Sequence, residues 1–272
     1  MNKKFRVLTS GESHGKCLNA IIEGVPSNID ISIEKINENL ARRQQGYGRG
    51  NRMKIESDKV EIKSGVRHGK TTGAPICLEI KNKDYENWVN VMCPEKIELT
   101  KDVLEELEAK SFTKLRPGHA DYAGSVKYNA KDLRNILERS SARKTAIEVA
   151  VGSIAQQVLS AFDITGSSCV KRIGTVEFTG NNEEFEKNIK KEIDSAKEEG
   201  TTLGGEIEVT YNNLPIGLGS FVSFDRAIDG LIAQAVMSIP AIKSVEFGLG
   251  KNVAVNKGKN VHDPFYIENG EI

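Results

Sequence analysis

Cysteine is scarce and scattered. Cys17, Cys77, Cys93 and Cys169 form no C-x-x-C pair, so neither a zinc site nor a disulfide framework is indicated, and four reduced thiols are expected. There is no net charge either: 38 Lys and Arg balance 38 Asp and Glu, so no global field attracts nucleic acid or an anionic membrane, and any basic site must be local. No apolar run approaches the roughly 18 residues of a membrane span. Met1-Asn2-Lys3-Lys4 has the charge of a secretion signal, but the following Phe5 to Glu12 breaks off before an apolar segment forms, and a cytoplasmic protein is expected. No two histidines have H-x-x-x-H spacing, so no metal centre is expected, and no G-x-S-x-G elbow is present. Gly46, Gly48 and Gly50 follow a helical pattern with G-x-G-x-G spacing, which argues against a dinucleotide fingerprint.

What is present is enough chain, 272 residues, to bury a substantial core. Residues 4–10 and 18–23 read as strands, and Met53, Ile55, Val60 and Ile62 alternate with charged residues around Ser57-Asp58 as a hairpin would. From Ser32 the period becomes helical, with Ile33, Ile36 and Leu40 on one face, Ser32 as N-cap and Arg42-Arg43 in the last turn. A second helix starts at Thr100. Residues 145–162 are apolar almost all round and describe a buried helix, whereas 183–198 carry the charged face of a surface helix. Glu206 to Tyr211 alternates as a strand, and a helix over 226–239 ends at Pro240. Without regular βαβ alternation, the fold class is α+β.

Four segments crowd Gly, His, Ser and Arg together. Gly11-Glu12-Ser13-His14-Gly15 is a loop between strands whose His is suited to proton transfer, the alternative being a turn in which His14 caps backbone carbonyls. Arg42 to Lys54 holds five positive charges and no acid among glycines; Arg forks match phosphate and carboxylate oxygens, while an Arg-Gly RNA-binding segment is the rival reading. Arg116-Pro117-Gly118-His119-Ala120-Asp121 sets a second His beside an acid that can orient it, or else holds a structural His. Arg139-Ser140-Ser141-Ala142-Arg143 precedes the buried helix, where cations, hydroxyls and free amides make an anion site. His68 and His262 read as structural or supporting residues.

Together these segments resemble one family. Gly11 to Gly15 with Ile21-Ile22-Glu23-Gly24-Val25-Pro26 is similar to the first signature of chorismate synthases, and Glu138 to Arg143, through Thr145 to Gly152, to the second. Gly46 to Gly50, Ser64 to Thr71, Arg116 to Asp121, Leu214 to Gly219 and Met237 to Ala241 continue the likeness in the family's order. The resemblance implies a β-α-β sandwich with mostly antiparallel sheets, and a 1,4-anti elimination of phosphate from 5-enolpyruvylshikimate 3-phosphate. It also implies reduced FMN as cofactor, NADPH as a source of reducing equivalents, and a homotetramer that binds no nucleic acid and no membrane. By position, His14 resembles the acid that protonates the departing phosphate and His119 the one that protonates flavin. Arg43 and Arg49 resemble substrate- and flavin-binding arginines, and Ser13, Arg134 and Arg143 fall among the substrate's neighbours. Arg139, Ser140 and Ser141, with Pro240 and Ala241, match flavin contacts.

Two departures stand out. Lys144 and Glu148 replace a Glu and an Arg common in the family, a swap that keeps an i,i+4 ion pair. The chain also ends at Ile272, before the Gly-rich segment, flavin loop and Arg-x-Asp signature of the family. The resemblance therefore implies residues 1–272 as one domain incomplete at its C-terminus, with an inactive or merely structural fragment as the competing reading.

Overall fold

Strict alternation builds the central sheet. In the computed structural model, which describes residues 5–49 and 57–267, strand β2 (Cys17–Glu23) buries Leu18, Ala20 and Ile22 and turns Cys17, Asn19 and Ile21 outward. Strands β1 (Arg6–Gly11), β3 (Val60–Ser64), β4 (Val66–Arg67), β5 (Lys70–Thr71) and β6 (Ile76–Lys81) complete the first part of the chain. Strands β1, β2, β6 and β3 form one antiparallel sheet in that order. Its register sets Leu18 opposite Ile80, Ala20 opposite Leu78 and Ile22 opposite Ile76, so six apolar side chains share one face. The Met53 and Ile55 arm of the expected hairpin lies outside the described residues; Val60 and Ile62 do form a strand, paired with β6.

Two helices cover that face. Helix α1 (Ile33–Gln44) starts where Ser32 Oγ accepts from Lys35 N at 3.1 Å and buries Ile36 and Leu40, while Ile33 in its first turn stays exposed. A later helix, Thr145–Ser160, buries Ala146, Ile147, Ala150, Val151 and Ile154 against α1 and the sheet. Each buried Ile or Leu contributes about 1.5–3 kcal/mol relative to exposure. The buried amide of Gln157 locks the pair, accepting from Ser32 N at 2.7 Å and donating to Ser32 O at 3.3 Å. This helix stops two residues short of the expected limit, and Phe162 lies exposed in the turn beyond it.

Between β6 and that helix come a 3-10 turn, Lys83–Trp88, and helices α2 (Lys101–Ala109), α3 (Asp121–Tyr128) and α4 (Arg134–Ser140); the Thr145–Ser160 helix is α5. Thr100 caps α2 as expected. A three-stranded antiparallel sheet follows, β7 (Thr165–Ile173) between β8 (Val176–Glu177) and β9 (Gly205–Asn212), with helix α6 (Asn182–Glu198) inserted before β9. The mixture of helices and antiparallel sheets is α+β. The β4–β5 hairpin turns through His68 and Gly69, both at positive φ (52° and 75°), the conformation of a two-residue primed turn.

The chain divides into two compact units, Met1–Leu214 and Pro215–Ile272. The second holds helix α7 (Ile228–Met237), shorter than the expected 226–239, with Pro240 three residues past its end and 3-10 turns on either side. No helix among the described residues is long and apolar enough to cross a membrane.

Candidate active site

His14 is held from below. Strand β1 ends at Gly11, whose φ of 102° brings it so near β2 that an added Cβ would lie 2.3 Å from Cys17 O, so only glycine opens the loop here. Ser13 N in the loop donates to Glu138 O at 3.1 Å and His14 N to Glu138 Oε2 at 2.7 Å. The imidazole Nδ1 then lies 2.8 Å from both carboxylate oxygens of Glu138. Glu138 is fully buried on α4, one turn after Arg134, which donates through Nη1 to Oε1 at 3.1 Å. Burial alone would raise the Glu138 carboxyl, but hydrogen bonding to His14, the charge of that ring and the Arg134 bond outweigh it and hold the group below the usual carboxylate range.

The ring is also walled. Trp88 stacks on the imidazole with centroids 4.1 Å apart, and its Nε1 donates to Asp84 Oδ2 at 3.1 Å. That same oxygen lies 3.8 Å from His14 Nε2, beyond hydrogen-bond range. Arg134 and Lys110 sit over the indole, 5.0 and 4.7 Å from a ring centroid, close enough for cation–π attraction.

Asn82 couples this cluster to a second one. Its buried side chain donates to Glu12 O at 3.0 Å and Gly15 O at 2.7 Å, clamping the His14 loop from both ends. Its Oδ1 accepts from Arg143 Nε at 2.9 Å, and Arg143 Nη1 reaches Asp58 Oδ2 at 2.7 Å. Arg43 Nη1 stands 3.8 Å from the same Asp58 oxygen, with Nε on Thr145 Oγ1 at 2.9 Å and Nη2 on Ala142 O at 3.0 Å. Burial lowers the Arg43 guanidinium from its ordinary value, and the Asp58 carboxylate acts against that loss. Arg49, exposed on the Gly-rich loop, donates to Arg43 O. The loop is fastened to α6 by Tyr47 Oη on Asp194 Oδ1 at 2.9 Å.

Ser13, His14 and Arg134 thus gather around Glu138, and Arg43 and Arg143 around Asp58, with Arg49 beside Arg43. The remaining candidates go elsewhere. His119 is exposed, its Nδ1 3.0 Å from Pro117 O. The expectation that Asp121 orients His119 is corrected: Asp121 is buried and takes a two-pronged bond from Arg116, Nε and Nη2 each at 2.8 Å, because the planar guanidinium matches both its oxygens. Arg139 points back to β1, donating to Gly11 O at 3.0 Å and Thr9 O at 2.9 Å. Ser140 is exposed, and Ser141 Oγ accepts from Arg143 N at 3.2 Å. Pro240 and Ala241 belong to the second unit.

Sequence reasoning missed Glu138, Asn82, Asp84, Trp88 and Asp58 as site residues. A signal existed for three of them, since Lys81 to Trp88 is a polar run without apolar period that ends on the only tryptophan of the chain. The other two are acids that look like solvated charge until a long-range partner is known.

An α+β fold in which one imidazole is fixed between a buried carboxylate and an indole, beside guanidinium groups suited to phosphate and carboxylate, has the parts of an acid–base enzyme for a small anion. The sequence profile of the chorismate synthase family matches residues 5–271. The chorismate synthase of Thermoanaerobacter pseudethanolicus is 52% identical over 264 residues, covering 97% of this chain and 69% of that protein. The Brevibacillus brevis chorismate synthase is 50% identical over 278 residues, covering 95% and 70%. A crystal structure of chorismate synthase superposes with a TM-score of 0.78 at 41% identity, covering 98% of this chain and 75% of that one. The chain belongs to the chorismate synthase family, a family of lyases.

Proposed function

We propose that this chain performs the family reaction, the 1,4-anti elimination of phosphate from 5-enolpyruvylshikimate 3-phosphate to give chorismate. The C3–O bond breaks with its electron pair leaving on the phosphate, the C6–H pair becomes C1=C6 while the ring's C1=C2 pair shifts to C2=C3, and in the net balance the proton lost from C6 is matched by the one the phosphate takes up. His14 is the acid for the phosphate. The observation that carries this is its Nδ1 contact with Glu138: an ionised carboxylate only accepts, so Nδ1 keeps its hydrogen and Nε2 is the atom that gives one away. Arg43, Arg49 and Arg143 bring permanent charge that suits the substrate's phosphate and two carboxylates. Ser13 and Arg134 hold the His14 loop and its carboxylate in place.

The residues present fit a flavin phosphate or ring oxygen through the exposed Ser140 hydroxyl, Ser141 and the exposed Arg49 fork, whereas the Arg139 side chain already serves Thr9 and Gly11. Reduced FMN, when bound, supplies the electron density that assists loss of the phosphate. His119, exposed on its loop, is read as the second proton-handling residue. Cytoplasmic location and a homotetramer complete the reading; light scattering checks the latter against a protomer of 29.9 kDa.

The test is anaerobic turnover with reduced FMN and the phosphorylated substrate, followed by chorismate absorbance, for wild type, His14→Ala and His119→Ala. Each variant is expected to lose at least about 100-fold in rate, the scale of one general acid. Near wild-type turnover by either removes that residue from the mechanism.

A further inference from the structure

His14 needs more than exposure to act as a one-directional acid. An imidazole in water prefers its hydrogen on Nε2, and a ring free to rotate presents either nitrogen. Four donor contacts converge on Glu138: His14 Nδ1 on both oxygens at 2.8 Å, His14 N on Oε2 at 2.7 Å and Arg134 Nη1 on Oε1 at 3.1 Å. Glu138 has no exposed side-chain surface and the His14 side chain is 16% exposed, so water does not compete from the Nδ1 side. The indole of Trp88 stacks on the imidazole and limits its rotation, and Nε2 is left directed toward Asp84 Oδ2 at 3.8 Å.

We propose that Glu138 is a positioning residue for the reaction: its carboxylate fixes His14 with hydrogen on Nδ1 and presents Nε2 alone for proton transfer, while Trp88 sets the plane of the ring. The inference rests on the reading of His14 as the proton donor. Among the described residues, the charged groups facing the imidazole include Glu138 and Asp84, with Arg134 and Lys110 over Trp88. A glutamine of the same shape cannot replace the carboxylate. If its amide nitrogen stands at the Oε1 position, it meets Nδ1 and Arg134, both donors; if at the Oε2 position, it meets His14 N and Nδ1. Every orientation sets a donor against a donor; the one that can be relieved puts the amide nitrogen at the Oε1 position, where Arg134 turns away onto Lys110 O, which it already serves, and the ring moves its hydrogen to Nε2 so that Nδ1 accepts from the amide.

The experiment is ¹⁵N-histidine NMR of this chain, with the His14 signals assigned by their loss in His14→Ala, together with turnover in reduced FMN. Wild type with neutral His14 is expected to carry its hydrogen on Nδ1, Glu138→Gln to move it to Nε2, and Glu138→Asp to retain it on Nδ1. Glu138→Gln is expected to lose about 100-fold in kcat with substrate affinity kept within about threefold, as for loss of a group that acts only in the transition state. A wild-type His14 with hydrogen on Nε2 overturns the proposal without any variant having to fold. So does Glu138→Gln that keeps the Nδ1 hydrogen, or that turns over within twofold of wild type. Full activity in His14→Ala instead removes the reading of His14 itself, a result the two glutamate variants cannot imitate.

Discussion

Replacing Asn82 by Ala removes the clamp between the two clusters. Three side-chain hydrogen bonds are lost, to Glu12 O, Gly15 O and Arg143 Nε, all at a residue that is 5% exposed. Two neutral bonds at about 1 kcal/mol each and one to a guanidinium at about 2 kcal/mol sum to about 4 kcal/mol. Water entering the space left behind offsets part of this, so a loss of about 3 kcal/mol is expected. Urea unfolding followed by far-ultraviolet circular dichroism measures it as a lower midpoint at unchanged slope. Asn82→Asp separates the two halves of the clamp: it strengthens the attraction to Arg143 but points an acceptor at two carbonyls. If loop clamping dominates, Asp destabilises about as much as Ala. A loss below about 1 kcal/mol in Ala, or a stabilised Asp variant, refutes the argument that Asn82 fixes the His14 loop.

Four further outcomes are expected. Arg49→Ala weakens binding of the phosphorylated substrate by about tenfold or more with the thermal midpoint unchanged, because the exposed side chain gives up a charge-assisted bond rather than core packing; calorimetric titration beside a melting curve checks it. Arg139→Ala lowers the thermal midpoint more than flavin affinity, since its guanidinium serves the backbone of Thr9 and Gly11. The Arg116 fork holds Asp121 at about 2, below its ordinary 3.8, so this pair stabilises fully above the ordinary value and its contribution fades as pH falls through about 2; Asp121→Asn flattens the acid unfolding curve between those limits. The double exchange Lys144→Glu with Glu148→Lys restores most of the stability that either single change removes, with an amplitude under about 0.5 kcal/mol for a partly exposed i,i+4 pair; urea midpoints of the three variants check it.

Strands β1 and β2, the Val60–Ile62 segment and the two helices were legible because their rules are local, whereas β6 (Ile76–Lys81), which joins β2 to β3, was not read as a strand. Alternation in Cys17–Glu23 and the Ser32 cap each declare themselves within a few residues. The Lys144–Glu148 pair, at 2.9 Å, was legible for the same reason. The partners of the site residues were not. His14 and Glu138 are 124 positions apart and Arg139 and Thr9 130 apart, and nothing in either neighbourhood encodes which distant group it will meet. The His119–Asp121 expectation failed because proximity in sequence cannot rank an imidazole two residues away against the two-pronged fork of Arg116 five residues away. Resemblance named His14 and the arginines but not the buried groups that hold them.

Trp88 is the only tryptophan in the chain, and its indole lies 4.1 Å from the imidazole of His14 with Lys110 and Arg134 over its ring. Under excitation that tyrosine does not absorb, the ultraviolet emission of this protein is therefore a single-site optical signal. It originates in one ring, and that ring touches the proposed proton donor. An incoming anion that displaces Lys110 or Arg134, or a flavin whose absorption overlaps the indole band, changes its intensity or colour without an added label. Excited at wavelengths that tyrosine does not absorb, the protein reports on this cluster in stopped-flow mixing while the rest of the chain stays dark.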